Sequence, residues 1–263
     1  GIFDPCLEDI SQYLPFDMPP YEQLVASEKK VFAHWHLYPI SWDNKEPRND
    51  FYDTRVMAIE HSFPNKGRQR PLPWPAREDH GDFMVRDMMY EIRLAKEIGM
   101  DGFWMNFFGH PTANNPTKYV EAMLEAAKRV DTQFKILLAQ ATLGWHQARE
   151  RSLERFGPPV EHFTELYSRL GRHPFAYRED GKLVISAFAS MGLTVEEWSS
   201  IFENLREAGI ETKFMPNFMW WKKHYEKYLP IAEGIGDWGG RSYDSWKNFV
   251  DGPKIAHAHG KQW

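Results

Sequence analysis

Asp237 follows a GIG triplet and precedes Trp238, and of the acids in this chain its setting best suits work on a bound substrate. A carboxyl group at the end of a strand can give or take a proton, and two such groups facing one bond can hydrolyse it by general acid and base. The same residue in a loop can instead cap the following turn through hydrogen bonds to backbone amides. Asp43 and Glu46 in SWDNKEP form a D-x-x-E. Acids three apart are frequent in a chain with 37 Asp and Glu, and a Pro follows at once, so this pair reads as a solvated rim.

His34 with His36 in HWH, and His257 with His259 in HAH, suggest a rival chemistry. Alternate residues on a strand point to the same face, so each pair offers two imidazoles to one metal. An H-x-H at the end of a first strand also opens the metal-dependent amidohydrolase barrels, which makes hydrolysis by a metal-activated water the second reading. Further ligands are lacking: strands four and five end without Lys or His, and strand three offers only Gln140. Asn106, Gln140, Asn217 and Arg241 stand at or near the expected ends of strands two, three, five and six. Each alone reads as a satisfied loop residue, but their recurrence favours a cleft for a polyhydroxylated ligand. Trp145 closes strand three, Trp220 and Trp221 close strand five, and Trp238 follows Asp237. Such rings serve as stacking platforms or as packing between helices.

Composition bounds these options. The 263 residues suffice for one large α/β domain, and a single domain over 1–263 is expected. Hydrophobic residues at 42% and charged residues at 26% belong to a globular protein. Aromatic residues reach 15%, with 11 Trp, which suggests rings beyond what a core needs. The formal charge of −5 and the absence of a basic stripe argue against nucleic acid as a partner. No apolar run approaches the roughly 20 residues that span a bilayer, so no membrane role is expected. Cys6 is the one cysteine, which excludes an internal disulfide.

The elements that must position these residues alternate between apolar strands and amphipathic helices, the pattern of parallel β/α units. Strand one lies in KKVFAHWHLYPIS, residues 29–41, and is followed by a Pro-rich insertion over 42–82, expected to border the cleft. FMVRDMMYEIRLAKEI, 83–98, has helical spacing and stops at Gly99. DGFWMNFFG is strand two, TKYVEAMLEAAKRV a helix and FKILLAQATLGW, 134–145, strand three. A helix near 160–170 precedes strand four, GKLVISAFAS, 181–190. Thr194 and Glu197 form a capping box for the next helix, which ends at Gly209 and leads to strand five, TKFMPNFMWW. Strand six spans 234–243, and PKIAHAHGKQW, 253–263, reads as the start of a seventh. The fold class expected is α/β, a (β/α)8 TIM-barrel-like fold with six to seven strands.

Several of these segments resemble, in order, the glycoside hydrolase family 71/99-like barrels. Lys96, Gly99, Asp101, Phe103 and Asn106 match an A-K-x-x-G-x-D-x-F helix and a strand ending in Asn. KKVFAHWH, GKLVISAFASMG, TKFMPNFMWW and AEGIGDWGGRSYDSW resemble four further strands of that family, so the likeness runs from about Lys29 to Trp246. It implies hydrolysis of a polysaccharide or oligosaccharide by paired carboxyl groups, roughly 5 Å or 6.5–9.5 Å apart, with no metal or cofactor. It also implies that His34 and His36 bind sugar hydroxyls, with Trp35 turned into the barrel wall. A secreted or periplasmic location is expected. Two departures qualify the likeness. The family's acidic pair lies late in the barrel and has no counterpart after strand six, so the second carboxylate is expected beyond Trp263. After strand four, where relatives often carry an acid or Gly, this chain has Ala189 and Ser190. A chain that stops short of eight strands is also expected to leave strand edges that something must cover.

Overall fold

The computed structural model describes residues 23, 26, 30–35, 82–107, 117–130, 133–219, 221–238 and 246–263. The insertion over 42–82, apart from its last residue, and the Asp43 and Glu46 pair lie outside the described residues. Along the chain run β1 (Phe32–Trp35), α1 (Phe83–Glu97), β2 (Gly102–Phe107), α2 (Thr117–Val130), β3 (Lys135–Ala141), α3 (Leu143–Gln147), α4 (Arg149–Phe156) and α5 (Pro159–Leu170). They continue as β4 (Arg178–Glu179), β5 (Lys182–Phe188), α6 (Val195–Glu207), β6 (Thr212–Phe218), α7 (Tyr225–Tyr228), β7 (Gly236–Asp237) and α8 (Trp246–Ala258). The sheet order is β1-β2-β3-β5-β6-β7, with β4 folded back antiparallel onto β5. β3, β5, β6 and β7 pair in parallel. Strands that neighbour one another in chain order, with helices between them, make the fold an incomplete TIM-like barrel of seven strands among the described residues.

The chain divides into two compact units, one of residues 1–103 with 118–135, the other of 104–117 with 136–263. In the first, the starts of three strands are tied together at Asp101. Its backbone N–H donates to the Val31 carbonyl (2.9 Å), its own carbonyl accepts from the Lys135 N–H (3.0 Å), and its carboxylate accepts from the Val31 N–H (2.7 Å). Lys30 Nζ adds a charge at 3.3 Å. α1 turns Met88, Met89, Ile92 and Ala95 inward and ends where Gly99 enters the left-handed region at φ 80°. The Trp35 indole N–H donates to Glu91 of that helix at 2.5 Å, which satisfies the polar edge of a buried ring.

The second unit is built around β5 and β6. Phe163 of α5 and Phe214 of β6 close on Trp198 of α6, with ring centroids 5.8 and 4.7 Å away. All three side chains are fully buried, and burial of a ring of this size stabilises by about 3 kcal/mol. α6 begins at the expected capping box: Thr194 Oγ1 accepts from the Glu197 N–H, and the Glu197 carboxylate accepts from the Thr194 N–H. The helix ends before Gly209 at φ 79°. Lys213 of β6 pairs with Glu179 (2.8 Å) and Asp180 (2.7 Å), pinning the β4–β5 hairpin and holding the ammonium pKa above the usual lysine range.

Two expected elements differ. PKIAHAHGKQW is not a strand over its length: α8 continues to Ala258, and only Gln262 bridges Gly234 in parallel. The H-x-H alternation covers three residues, too few to outweigh a helix that seats Ala256 in the core. His257 therefore lies on a helix and His259 beyond it, and the pair does not share a strand face. Strand three stops at Ala141, after which the chain turns into α3, so Trp145 is a buried helix residue against Phe156 and Phe163. No helix of the described residues is long and apolar enough to cross a membrane.

Gly102 sits so close to its neighbours that a Cβ would meet the Lys135 carbonyl oxygen at 2.1 Å and the Phe32 ring at 2.5 Å. Backbone cannot yield as a flexible side chain can. Gly102→Ala is expected to cost about 3 kcal/mol or more, read as a lower urea midpoint with an unchanged slope. A midpoint equal to the parent's would show that the strand starts at Asp101 are looser than described.

Candidate functional site

In a β/α barrel the C-terminal strand ends carry the chemistry. In the second unit those ends bring together Trp104 and Asn106 of β2, Phe188 of β5, Asn217 of β6, and Asp237 with the adjoining Trp238 of β7. The register decides which of them share a face. Ser186 pairs with Met215, and Asn217 with Gly236, so Ser186, Phe188, Met215 and Asn217 lie on one side, as does Trp238 two residues past Gly236. Trp238 lies 4.8 Å from Phe188 and 5.7 Å from Trp104 by ring centroid, which puts Trp104, and hence Asn106, on that same side.

The contact between Trp104 and Trp238 also measures the curl of this unit. β3, β5 and β6 lie between β2 and β7, and four spacings of about 4.8 Å would put them some 19 Å apart in a flat sheet. Rings within 5.7 Å require the sheet to bend around the face that carries them.

Polar groups accompany the rings. Asn106 is buried, and its Oδ1 finds no hydrogen-bond partner among the described residues; the Oδ1 of half-buried Asn217 is also buried and finds none. Gly236 makes room for the second amide, since a Cβ there would stand 3.0 Å from Asn217 Nδ2. Asp237 is half-buried and pairs in register with Phe218, so it leaves β7 on the other side from Trp238. Gln140 pairs with Ala187, on the face where the helices pack, and it stands apart from the two asparagines. It too is buried, with an oxygen that finds no partner among the described residues. In the first unit, His34 is exposed on β1 while Trp35 is buried, as alternation requires. His36, Trp220 and Arg241 lie outside the described residues.

The corner after β5 sets this geometry. Ala189 adopts φ 58° and ψ 51°, a left-handed conformation that costs a non-glycine residue roughly 1–2 kcal/mol. The next residue, Ser190, is fully buried and its Oγ donates to the Ala187 carbonyl and accepts from the Asn217 N–H, both at 2.9 Å. Thr142 closes the other side: its N–H donates to the Phe188 carbonyl at 2.9 Å, and its hydroxyl donates to the Ala189 carbonyl at 2.5 Å, with the Phe188 carbonyl farther off at 3.1 Å. After β6, Tyr228 donates to the Leu193 carbonyl at 2.6 Å, and burial pushes its phenol up to about 12. Trp104, Phe188 and Ser190 were not among the residues expected from sequence. Trp104 carried a usable signal, since it lies two residues before Asn106 on one strand face.

Among the described residues no group of three or more His, Cys, Asp or Glu is placed to hold a metal ion. A groove of about 300 Å³ opens at the opposite ends of the strands, lined by Phe202, Phe214, Ile231, Glu203, Glu211 and Glu233. It lies at the N-terminal end of β6, the end that serves stability in such barrels, and holds none of the groups above.

His224, just before α7, stacks on Phe218 with centroids 6.3 Å apart. Burial, with a smaller contribution from nearby His146, holds its pKa below the ordinary histidine value. The unfolded chain therefore binds more protons, so this contribution to stability is complete above the unfolded value near 6.5 and is lost as pH falls through the folded one. Thermal midpoints should drop on going from pH 7.5 to pH 5, and His224→Gln should flatten that drop. An identical pH profile in the variant would remove His224 from the effect.

A search of curated proteins finds no match. One similar solved structure is an amidohydrolase with bound zinc from Burkholderia ambifaria, with a TM-score of 0.41 and 12% identity over 98% of this chain and 69% of that one, a likeness too low to bear on chemistry. The sequence profile of glycosyl hydrolase family 71 matches residues 77–258, which takes in every described strand except β1 and more than half of the chain. With that match joined to the parallel β/α order, the chain belongs to glycosyl hydrolase family 71.

Proposed function

We propose that this chain binds a polysaccharide or oligosaccharide across the C-terminal ends of β2, β5, β6 and β7 and hydrolyses it by carboxylate acid–base chemistry. The observation that carries the reading is the half-buried Trp104 and Trp238 pair on one face with two asparagines whose buried amide oxygens find no donor among the described residues. Indole faces pack against the apolar face of a pyranose ring. A buried acceptor without a donor costs about 1–3 kcal/mol, which a sugar hydroxyl would offset. Asp237 ends β7 beside Trp238 and is the carboxylate we assign to the reaction. Its place at a strand end supports that role, although its register directs it away from the indole. Such hydrolysis needs no cofactor. A polymer substrate does not cross a membrane unaided, so the reaction belongs in a secreted or periplasmic setting.

A panel of soluble α-glucan, β-glucan and mannan oligosaccharides, with product analysis, tests both halves. Trp238→Ala should weaken binding about tenfold. Asp237→Asn should leave binding near the parent's and reduce kcat by about a hundredfold or more. Binding without cleavage by the parent would make this a sugar-binding barrel, and full activity in Asp237→Asn would move the chemistry to another acid. No binding of any panel sugar would sink the proposal.

A further inference from the structure

The parallel pairing of β5 with β6 runs from Leu183 opposite Thr212 to Ala187 opposite Pro216. Alternate residues of a strand face alternate neighbours, and Phe214 and Phe218 turn their carbonyls to the β7 side, so after Met215 the next amide that β6 can offer toward β5 is that of Asn217. No strand carbonyl receives it. The Ser190 hydroxyl does, at 2.9 Å, and passes its own proton to the Ala187 carbonyl at the same distance. The chain brings that hydroxyl into line through the left-handed turn at Ala189, and the Trp198 indole N–H holds the Ser190 carbonyl at 3.0 Å.

From this we infer that Ser190 is a positioning residue for Asn217 and, through it, for sugar binding, an inference that rests on the cleft proposed above. The hydroxyl is fully buried and both of its hydrogen bonds go to backbone, so it is not offered to a ligand. Its effect passes through the Asn217 backbone. The side-chain amide of that residue is confined beside Gly236, where even a methyl group would press on it. With the N–H untethered, the end of β6 can shift and carry the amide away from the position that meets a hydroxyl.

The test uses Ser190→Ala, Ser190→Cys, Asn217→Ala and the Ser190→Ala, Asn217→Ala double variant of the whole chain. KM, kcat and Kd are measured on the α-glucan, β-glucan and mannan oligosaccharides, beside urea unfolding. Ser190→Ala should raise KM and Kd about tenfold with kcat within about twofold, and the double variant should bind no more weakly than Asn217→Ala. Ser190→Cys keeps the size and a weaker donor and acceptor, so its KM should fall between those of the parent and Asn217→Ala; it carries the test if Ser190→Ala does not fold. A lower urea midpoint with parental KM and Kd in the Ser190 variants would make the residue merely structural and overturn the inference. So would full additivity in the double variant. Parental binding by Asn217→Ala would overturn the cleft along with it, whereas additivity alone would leave the cleft standing.

Discussion

Thr142 and Ser190 meet the backbone groups left over where the ladder of β5 and β6 ends, and the placing of the strand-end side chains depends on that substitution. Parallel strands run out of partners while still inside the core, yet buried N–H and C=O groups must be matched. Here two hydroxyls take that part. The Thr142 hydroxyl serves the carbonyl of Ala189, while its N–H serves that of Phe188, and the Ser190 hydroxyl serves the amide of Asn217. The corner tolerates little change: a Cβ on Gly192 would meet the Thr142 carbonyl oxygen at 2.0 Å.

Around that corner, helices lend rigidity to the strand ends. Arg149 of α4 donates to the Gly192 carbonyl at 3.3 Å and pairs with Glu197, which also belongs to the capping box of α6. One carboxylate thus starts a helix and anchors its neighbour. Tyr228 reaches back to Leu193 from the far side of β6. Strand ends, turns and helix starts are locked by bonds to backbone, while the amide oxygens of Asn106 and Asn217 find no partner among the described residues.

The parts legible in the sequence were those set by neighbouring residues. Thr194 with Glu197, Gly99 and Gly209 mark helix boundaries through chemistry that operates within a turn, and the structure places them there. α3 and α4 escaped because RERSLERF has a thin apolar stripe and because the strand-like run before them continues without a break to Trp145. The C-terminal segment misled because Pro253 and two alternating histidines argue against a helix locally, while the seating of Ala256 decides for one. Asn106 and Asn217 were found as polar residues at strand ends. Which of the four polar candidates share a face was not readable, because strand register places Gln140 opposite Ala187 and nothing within β3 announces it.

The meeting of Trp104 and Trp238 has an optical consequence. Two indoles at 5.7 Å, with planes inclined by 34°, share their excited states, so they absorb and emit as a coupled pair whose dichroism depends on their mutual angle. They stand on strands separated by three others, and their coupling therefore gauges how tightly the sheet bends. The protein carries its own spectroscopic ruler across the face on which a sugar would lie.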